Sequence, residues 1–396
     1  MMIDHDIYYG HQFISEEDVN AVVSATVSDY MTQGPRIAEF EKNFSEYLGC
    51  NYSCIVSNGT AALHLCAMAL DIRPGDKVIT TPITFVASAN GFRYVGADIV
   101  FCDIDPNTYL LDLDKLESIL EASPKGTYKA VVPVAFAGYP LNEERLKYLS
   151  EKFDFRIVVD ACHAPGSSFV DSSGRRIMTG CCEYADLTVF SFHPVKHIAT
   201  GEGGAITTNN RSLYDKLMLY RTHGITKDPE LLEKNDGGWY YEMQSLGYNY
   251  RITEIQAALG ISQLKRLNWS IERRNEIALK YDNALVGLPI RIPYRHHDIT
   301  HAFHLYVVQV SHEIRKLLYD FLRERRIFSQ VLYIPVHLMP YYRQFGWKEG
   351  DFPVAEDYYK GCLALPMYPS LSDEDQDYVI SSIKEFFDAN GNGFLN

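Results

Sequence analysis

The chain has 396 residues, 46% of them hydrophobic and 22% charged, so it can bury a large core and its length predicts two or more folding units. A formal charge of -14 with no Lys/Arg block argues against nucleic acid or an anionic bilayer as partner, and an anionic substrate would need a local pocket of donors. Eight scattered cysteines without a CxxC pair read as reduced thiols and predict no metal site.

MMIDHDIYYG lacks a basic segment followed by an apolar one, and no run approaches the roughly 18 apolar residues of a membrane span, so a cytoplasmic protein is expected. Ser15, three residues before Asp18, predicts a capped helix from about Ser15 to Ser28, with Val19, Val22, Val23 and Val27 on one face. After a turn at Gly34-Pro35, Ile37, Phe40, Phe44, Tyr47 and Leu48 recur at helical spacing, with Gly49 as the stop. Thr32-Gln33-Gly34 is therefore an interhelical loop.

CIVSNGTAALHLCAMALDI reads as strand, tight turn and helix. That geometry points the amides of Gly59, Thr60 and Ala61 outward at a helix N-terminus, which suits a phosphate, although Ser-Asn-Gly-Thr also begins ordinary helices. KVITTP, DIVFCDID, YKAVVPVAF and RIVVDAC follow as apolar, non-alternating strands with helical segments between them. The pattern predicts an α/β fold with a mostly parallel sheet covered on both faces and ligands at the strand C-terminal ends.

Asp160 sits at such an end, where it either caps the next turn or faces a protonated ring nitrogen. Ser191 and Lys196 follow the apolar run Leu187–Phe192 and precede the turn Gly201–Gly204. A lone lysine there is ordinarily a solvated surface residue. With a carboxylate, a hydroxyl and a phosphate turn in company, however, an amine able to form a Schiff base with pyridoxal phosphate fits better. Phe85, in TPITFVASAN, is placed either to cover the cofactor ring or to pack in the core.

Thr226 to Gln244 is polar and aperiodic and predicts a mobile loop, and Ile252 to about Leu285 predicts one long helix linking domains. Beyond Gly287-Leu288-Pro289, HLYVVQV, EIRKLLYDFLRERR, FSQVLYIPV and SDEDQDYVISSIKEFFDA alternate strand and helix, with Ser372 and Asp375 capping the last helix. The expected division is a large cofactor domain over residues 1–262, then the linking helix and a small C-terminal α+β domain over residues 263–396.

Taken together, SDYMTQGP, SNGTAALHL, TPITFVASAN, VVDACHAPG, FSFHPVKHIATGEGG, RTHGI, LGYNYRITEIQAALG and LYIPVHLMPYY resemble the DegT-type nucleotide-sugar aminotransferases of the fold type I pyridoxal phosphate superfamily, from about Tyr9 to Phe386. The resemblance implies that Lys196 is the Schiff-base lysine, Asp160 the partner of the pyridinium nitrogen and His163 a neighbour of the ring. It makes Phe85 the stacking residue and Gly59, Thr60, Ala61 and Ser191 the phosphate cup. Asn249 would reach the phosphate of a neighbouring subunit, so a homodimer with shared active sites is implied. Candidate substrate contacts are Tyr9, Asp29, Tyr30, Met31, Thr32, Tyr333, Ile334, Pro335 and Val336. Where the family pattern carries a histidine two residues after Gln330, this chain has Leu332.

Among subgroups, SDYMTQGP, TPITFVASAN and FSFHPVK are most similar to the aminotransferase of the pseudaminic acid pathway. That implies amination of carbon 4 of a UDP-linked 4-keto-6-deoxy-acetamido sugar by L-glutamate, in ping-pong fashion through pyridoxamine phosphate. A dTDP- or GDP-linked keto sugar, or a cyclitol, is the alternative acceptor. A non-catalytic regulator that keeps the fold is the alternative class. The lysine in FSFHPVK separates the chain from the dehydratase branch, which carries histidine there.

Overall fold

The computed structural model describes residues 3–390. Its centre is a seven-stranded sheet built from β1 (Tyr52–Val56), β2 (Lys77–Thr80), β3 (Asp98–Phe101), β4 (Tyr128–Val132), β5 (Arg156–Asp160), β6 (Leu187–Ser191) and β7 (Gly204–Thr208). The spatial order is β1-β7-β6-β5-β4-β2-β3, and β7 runs antiparallel to both its neighbours while β6, β5, β4, β2 and β3 pair in parallel. Because β7 is reversed, its first residue, Gly204, lies on the same edge as the C-terminal ends of β1 and β6, in register with Val56 and Ser191. The predicted α/β architecture with a mostly parallel sheet is the one observed. Strands whose two faces are both covered by helices need apolar residues at every position, which is why these runs do not alternate.

A second apolar cluster gathers Ile7, Ile277, Tyr281, Tyr306, Leu318, Leu363 and Ile383 around the antiparallel pair Tyr306–Gln309 and Cys362–Leu365. Ser372 caps the final helix by accepting from the Asp375 amide at 3.0 Å.

Four expectations are corrected. The first helix, Glu16–Thr26, carries the predicted Ser15/Asp18 capping box, but it buries Asp18 and Ala25 and leaves Val19, Val23 and Val27 exposed, Val27 at 80%. The cause is an ion pair: Asp18 is fully buried against Arg266 and Gln263, and satisfying that carboxylate outweighs burying valines. The same pairing accounts for the second correction. The run after Ile252 is two helices, Glu254–Leu264 and Leu267–Leu285, broken where Arg266 turns towards Asp18 and Ser15. Third, the segment after Thr226 closes as a hairpin, with Ile225–Thr226 paired to Glu242–Met243 and the Glu242 carboxylate accepting from the amides of Glu233 and Lys234 and from the Tyr240 hydroxyl. Fourth, of FSQVLYIPV only Phe328 is strand, as the end of Ile327–Phe328, which pairs in parallel with Ile7–Tyr8, and Leu332 and Tyr333 further on line a cavity at the sheet edge.

Candidate active site

The cavity holds about 790 Å³ and lies where the sheet's parallel strands end. It is lined by Tyr9, Gly59, Thr60, Ala61, Phe85, Asp160, His163, Ser191, Lys196 and Tyr333, ten of the residues singled out from sequence. Strand geometry brings most of them together. Asp160 and Ser191 are the last residues of β5 and β6, and Gly59 opens the helix that follows β1.

The turn after β1 is packed tightly. A Cβ on Gly204 would stand 2.7 Å from the Asn58 carbonyl carbon and 2.9 Å from the Gly59 amide nitrogen, and one on Gly59 would meet the Ser191 Cβ at 3.1 Å. Glycine at both positions lets two backbones and a hydroxyl crowd one helix N-terminus. Asn58 caps that helix, its side chain accepting from the Ala61 amide at 2.8 Å. Ala61 is thus removed from the predicted set of anion donors, because its N–H is already satisfied by the cap. The amides of Gly59 and Thr60, with the Ser191 hydroxyl, remain for a phosphate.

Asp160 is buried and oriented by two donors. Ser88 Oγ donates to Oδ2 at 2.6 Å and the Cys162 amide to Oδ1 at 3.1 Å, while Ser88 is itself held by Thr84 at 2.6 Å. Lys196 sits in a tight turn, its amide donating to His193 O at 2.8 Å, and its Nζ lies 3.3 Å from His304 Nε2. Loss of hydration lowers the Lys196 ammonium from its ordinary 10.5 to about 8. Burial also holds His163, His197 and His304 well below the usual imidazole range, so three uncharged rings surround the amine. The fully buried Arg274 donates to the carbonyls of Phe303 at 3.0 Å and Met367 at 2.9 Å, fixing the segment that carries His304.

His304 was not anticipated as a site residue, since HAFHLYVVQV reads only as the start of a strand. Tyr94, His193, Glu202 and Tyr250 also line the cavity without a sequence signal. Leu332 lines it as well, presenting an apolar side chain where a histidine was expected. Ile334, Pro335 and Val336 do not reach it: in this extended segment Tyr333 turns inward, Ile334 is exposed, and Val336 is fully buried with its amide on Pro82 O. Asp29, Tyr30, Met31 and Thr32 lie on the surface outside the cavity of their own chain, as does Asn249. The Met31–Thr32 end of the first group meets the chain a few residues beyond Asn249, for Thr32 pairs with Thr253 and the Glu254 amide donates to Met31 O at 3.0 Å.

The donor set fits pyridoxal phosphate. Two free amides at a helix start and a hydroxyl suit the phosphate, an oriented carboxylate suits the ring nitrogen, and a lysine with a lowered pKa suits the aldehyde. Residues 12–384 match the DegT/DnrJ/EryC1/StrS aminotransferase family, and the chain belongs to it. It is 40% identical to the spore coat polysaccharide biosynthesis protein SpsC of Bacillus subtilis (strain 168), covering 96% of this chain and 97% of that one. It is 34% identical to the UDP-4-amino-4,6-dideoxy-N-acetyl-beta-L-altrosamine transaminase of Campylobacter jejuni subsp. jejuni serotype O:2, covering 94% and 95%. The solved structure of Helicobacter pylori PseC, an aminotransferase involved in the biosynthesis of pseudoaminic acid, superposes with a TM-score of 0.87 at 31% identity over 97% of this chain and 100% of that one. Structures of this fold have been solved in pyridoxal phosphate and pyridoxamine phosphate forms. The protein is a pyridoxal phosphate-dependent sugar aminotransferase.

Proposed function

We propose that this nucleotide-sugar aminotransferase moves the amino group of L-glutamate to carbon 4 of a UDP-linked 4-keto-6-deoxy-acetamido sugar, as in pseudaminic acid synthesis. The observation that carries the choice of substrate is the similarity, over 94% of the chain, to a transaminase of such a UDP-sugar. The chemistry is supported by Lys196, the one lysine of the cavity lining.

Bound in the cavity, pyridoxal phosphate supplies an aldehyde that carries the amino group and a ring that accepts the electron pair of a broken C–H bond. The Gly59 and Thr60 amides and the Ser191 hydroxyl hold its phosphate. Asp160, aimed by Ser88 and Cys162, would keep a proton on the ring nitrogen, with Phe85 and His163 available to flank the ring. Lys196 would anchor the aldehyde, and its freed Nζ would be the group that carries a proton between the amino donor's α-carbon and the carbon that bore the aldehyde. A pKa near 8 leaves a useful fraction of that amine uncharged at neutral pH, and the uncharged His304 beside it leaves no competing cation. Most of the substrate's binding energy comes from the nucleotide, with a few polar contacts orienting carbon 4.

The reading includes a homodimer with shared sites. Asn249 and Asp29–Thr32 lie outside their own chain's cavity, and exposed apolar residues flank each in sequence: Val23, Val27 and Met31 by the one, Trp239, Met243 and Leu246 by the other. A second subunit covering those side chains would receive these residues at its own cavity. The division into residues 1–262 and 263–396 belongs to the same reading and is supported by a second apolar cluster drawn, apart from Ile7, from Ile277 onward.

Amination of UDP-, dTDP- and GDP-linked 4-keto sugars with glutamate tests the substrate. The UDP sugar should be preferred, and a higher kcat/KM for a dTDP or GDP sugar would overturn the choice. Lys196→Ala should abolish turnover.

A further inference from the structure

Tyr333 projects into the cavity, and its hydroxyl has a fixed role. The Ala137 amide donates to His163 Nδ1 at 3.2 Å, so Nδ1 carries no proton. An uncharged imidazole must then bear its proton on Nε2, which lies 3.2 Å from Tyr333 Oη. Nε2–H therefore donates to the phenol oxygen, and the phenol's own proton must point elsewhere. Among the described residues no other group partners that hydroxyl, and the side chain lines the cavity.

The arrangement is enforced by the backbone. Ala137 has a left-handed conformation, φ 57 and ψ -2, which disfavours a residue with a Cβ. It is kept there by the strand-side segment that carries His304: the Leu305 amide donates to Ala137 O at 3.2 Å and the Ala302 amide to Gly138 O at 2.9 Å. A Cβ on Gly138 would approach the Phe303 amide nitrogen at 2.8 Å, so glycine there permits the close approach of the two segments. The His163 and His304 rings stand 4.3 Å apart, and His304 touches Lys196. Tyr333 and Lys196 line the same cavity, and His163 and His304 form a run of contacts between them.

We infer that Tyr333 is a catalytic residue whose hydroxyl, held as a one-way donor by a backbone-determined tautomer of His163, hydrogen-bonds the ketone oxygen of the sugar that accepts the amino group. His163 and Ala137 are positioning residues in this assignment. Burial raises the Tyr333 phenol far above its ordinary value and keeps His163 uncharged, so the donor keeps its proton at working pH and polarises the carbonyl without ionising. Tyr9 also lines the cavity, yet among the described residues no group fixes its hydroxyl. The assignment rests on the keto-sugar reading above.

Two measurements test it together. In protein labelled with 15N at histidine, the His163 ring, identified by its loss in His163→Gln, should show an unprotonated Nδ1 and a protonated Nε2 from pH 6 to 9. A protonated Nδ1, or titration in that range, would overturn the tautomer and the assignment. In Tyr333→Phe loaded with pyridoxamine phosphate, which supplies the amino group, single-turnover amination of the UDP keto sugar should slow roughly 10- to 100-fold, while the Kd for UDP alone stays within about threefold. A keto-sugar step within about threefold of wild type, or a UDP affinity that falls in parallel with the rate, would refute the carbonyl contact. If wild-type protein aminates no keto sugar, the functional reading falls and takes the assigned acceptor oxygen with it; the histidine signals decide the tautomer separately.

Discussion

Replacing Lys196 by methionine in the cofactor-free protein should raise its stability at neutral pH and leave it nearly unchanged in strong base. The folded chain holds the Lys196 ammonium at about 8 against 10.5 for the free side chain. Because the folded-state value lies below the unfolded one, the unfolded chain binds more protons between those pH values, and stability rises with pH across that window. Linkage puts the gross penalty at about 3.3 kcal/mol at pH 7 and about 0.8 kcal/mol at pH 10. Lys196 is half-buried beside an open cavity, so solvent reduces these figures by up to about half. With about 2.1 cal/mol/K of unfolding entropy per residue, the 396-residue chain loses roughly 0.8 kcal/mol per degree near its Tm, so Lys196→Met should melt about 2–4 °C higher at pH 7 and about 1 °C higher or less at pH 10. Differential scanning calorimetry of both proteins at both pH values reads this directly. Packing differences between lysine and methionine are common to the two conditions and cancel. A stability difference that does not change with pH would refute the depressed lysine.

Glu143 is buried with neither carboxylate oxygen hydrogen-bonded, and burial pushes it up to about 8. Here the folded-state value lies above the unfolded one, so wild-type stability falls as pH rises from about 4.5 to 8; Glu143→Met should gain roughly 3 kcal/mol more at pH 8 than at pH 5 in urea denaturation. Gly204→Ala forces a Cβ into the Asn58–Gly59 backbone and should weaken pyridoxal phosphate binding at least ~10-fold by absorbance titration, with a stability loss of about 1–3 kcal/mol. Gly238→Ala, which meets nothing within 4 Å, should change neither. Mixing inactive Lys196→Ala with Asn249→Ala should restore about a quarter of wild-type activity if random pairing gives half the molecules as heterodimers with one intact site. No recovery after subunit exchange would refute shared sites.

Much of this protein was legible as local pattern. Strands β1 to β7 announce themselves as short apolar runs, and the residue that ends a parallel strand must face the ligand edge, so Asp160, Ser191 and Gly59 could be placed without coordinates. Lys196 was legible from its company. His304 was not, because a histidine at the start of an apolar strand carries no periodic signal, and it meets Lys196 only through the chain's return 108 residues later. Nor could the first helix be oriented: its valines share a face, but the partner of Asp18 is Arg266, 248 residues away.

The amino-acid order by itself determined the sheet, the cofactor-type chemistry and the family, because strand period, glycine turns and reactive side chains are properties of neighbouring residues. Tertiary structure decided the protonation and direction of those groups. Burial lowers the lysine, the Asn58 cap withdraws the Ala61 amide from anion binding, and a backbone N–H at Ala137 settles which nitrogen of His163 holds a proton. Each depends on desolvation or on a donor from a distant segment, and neither is encoded in local spacing.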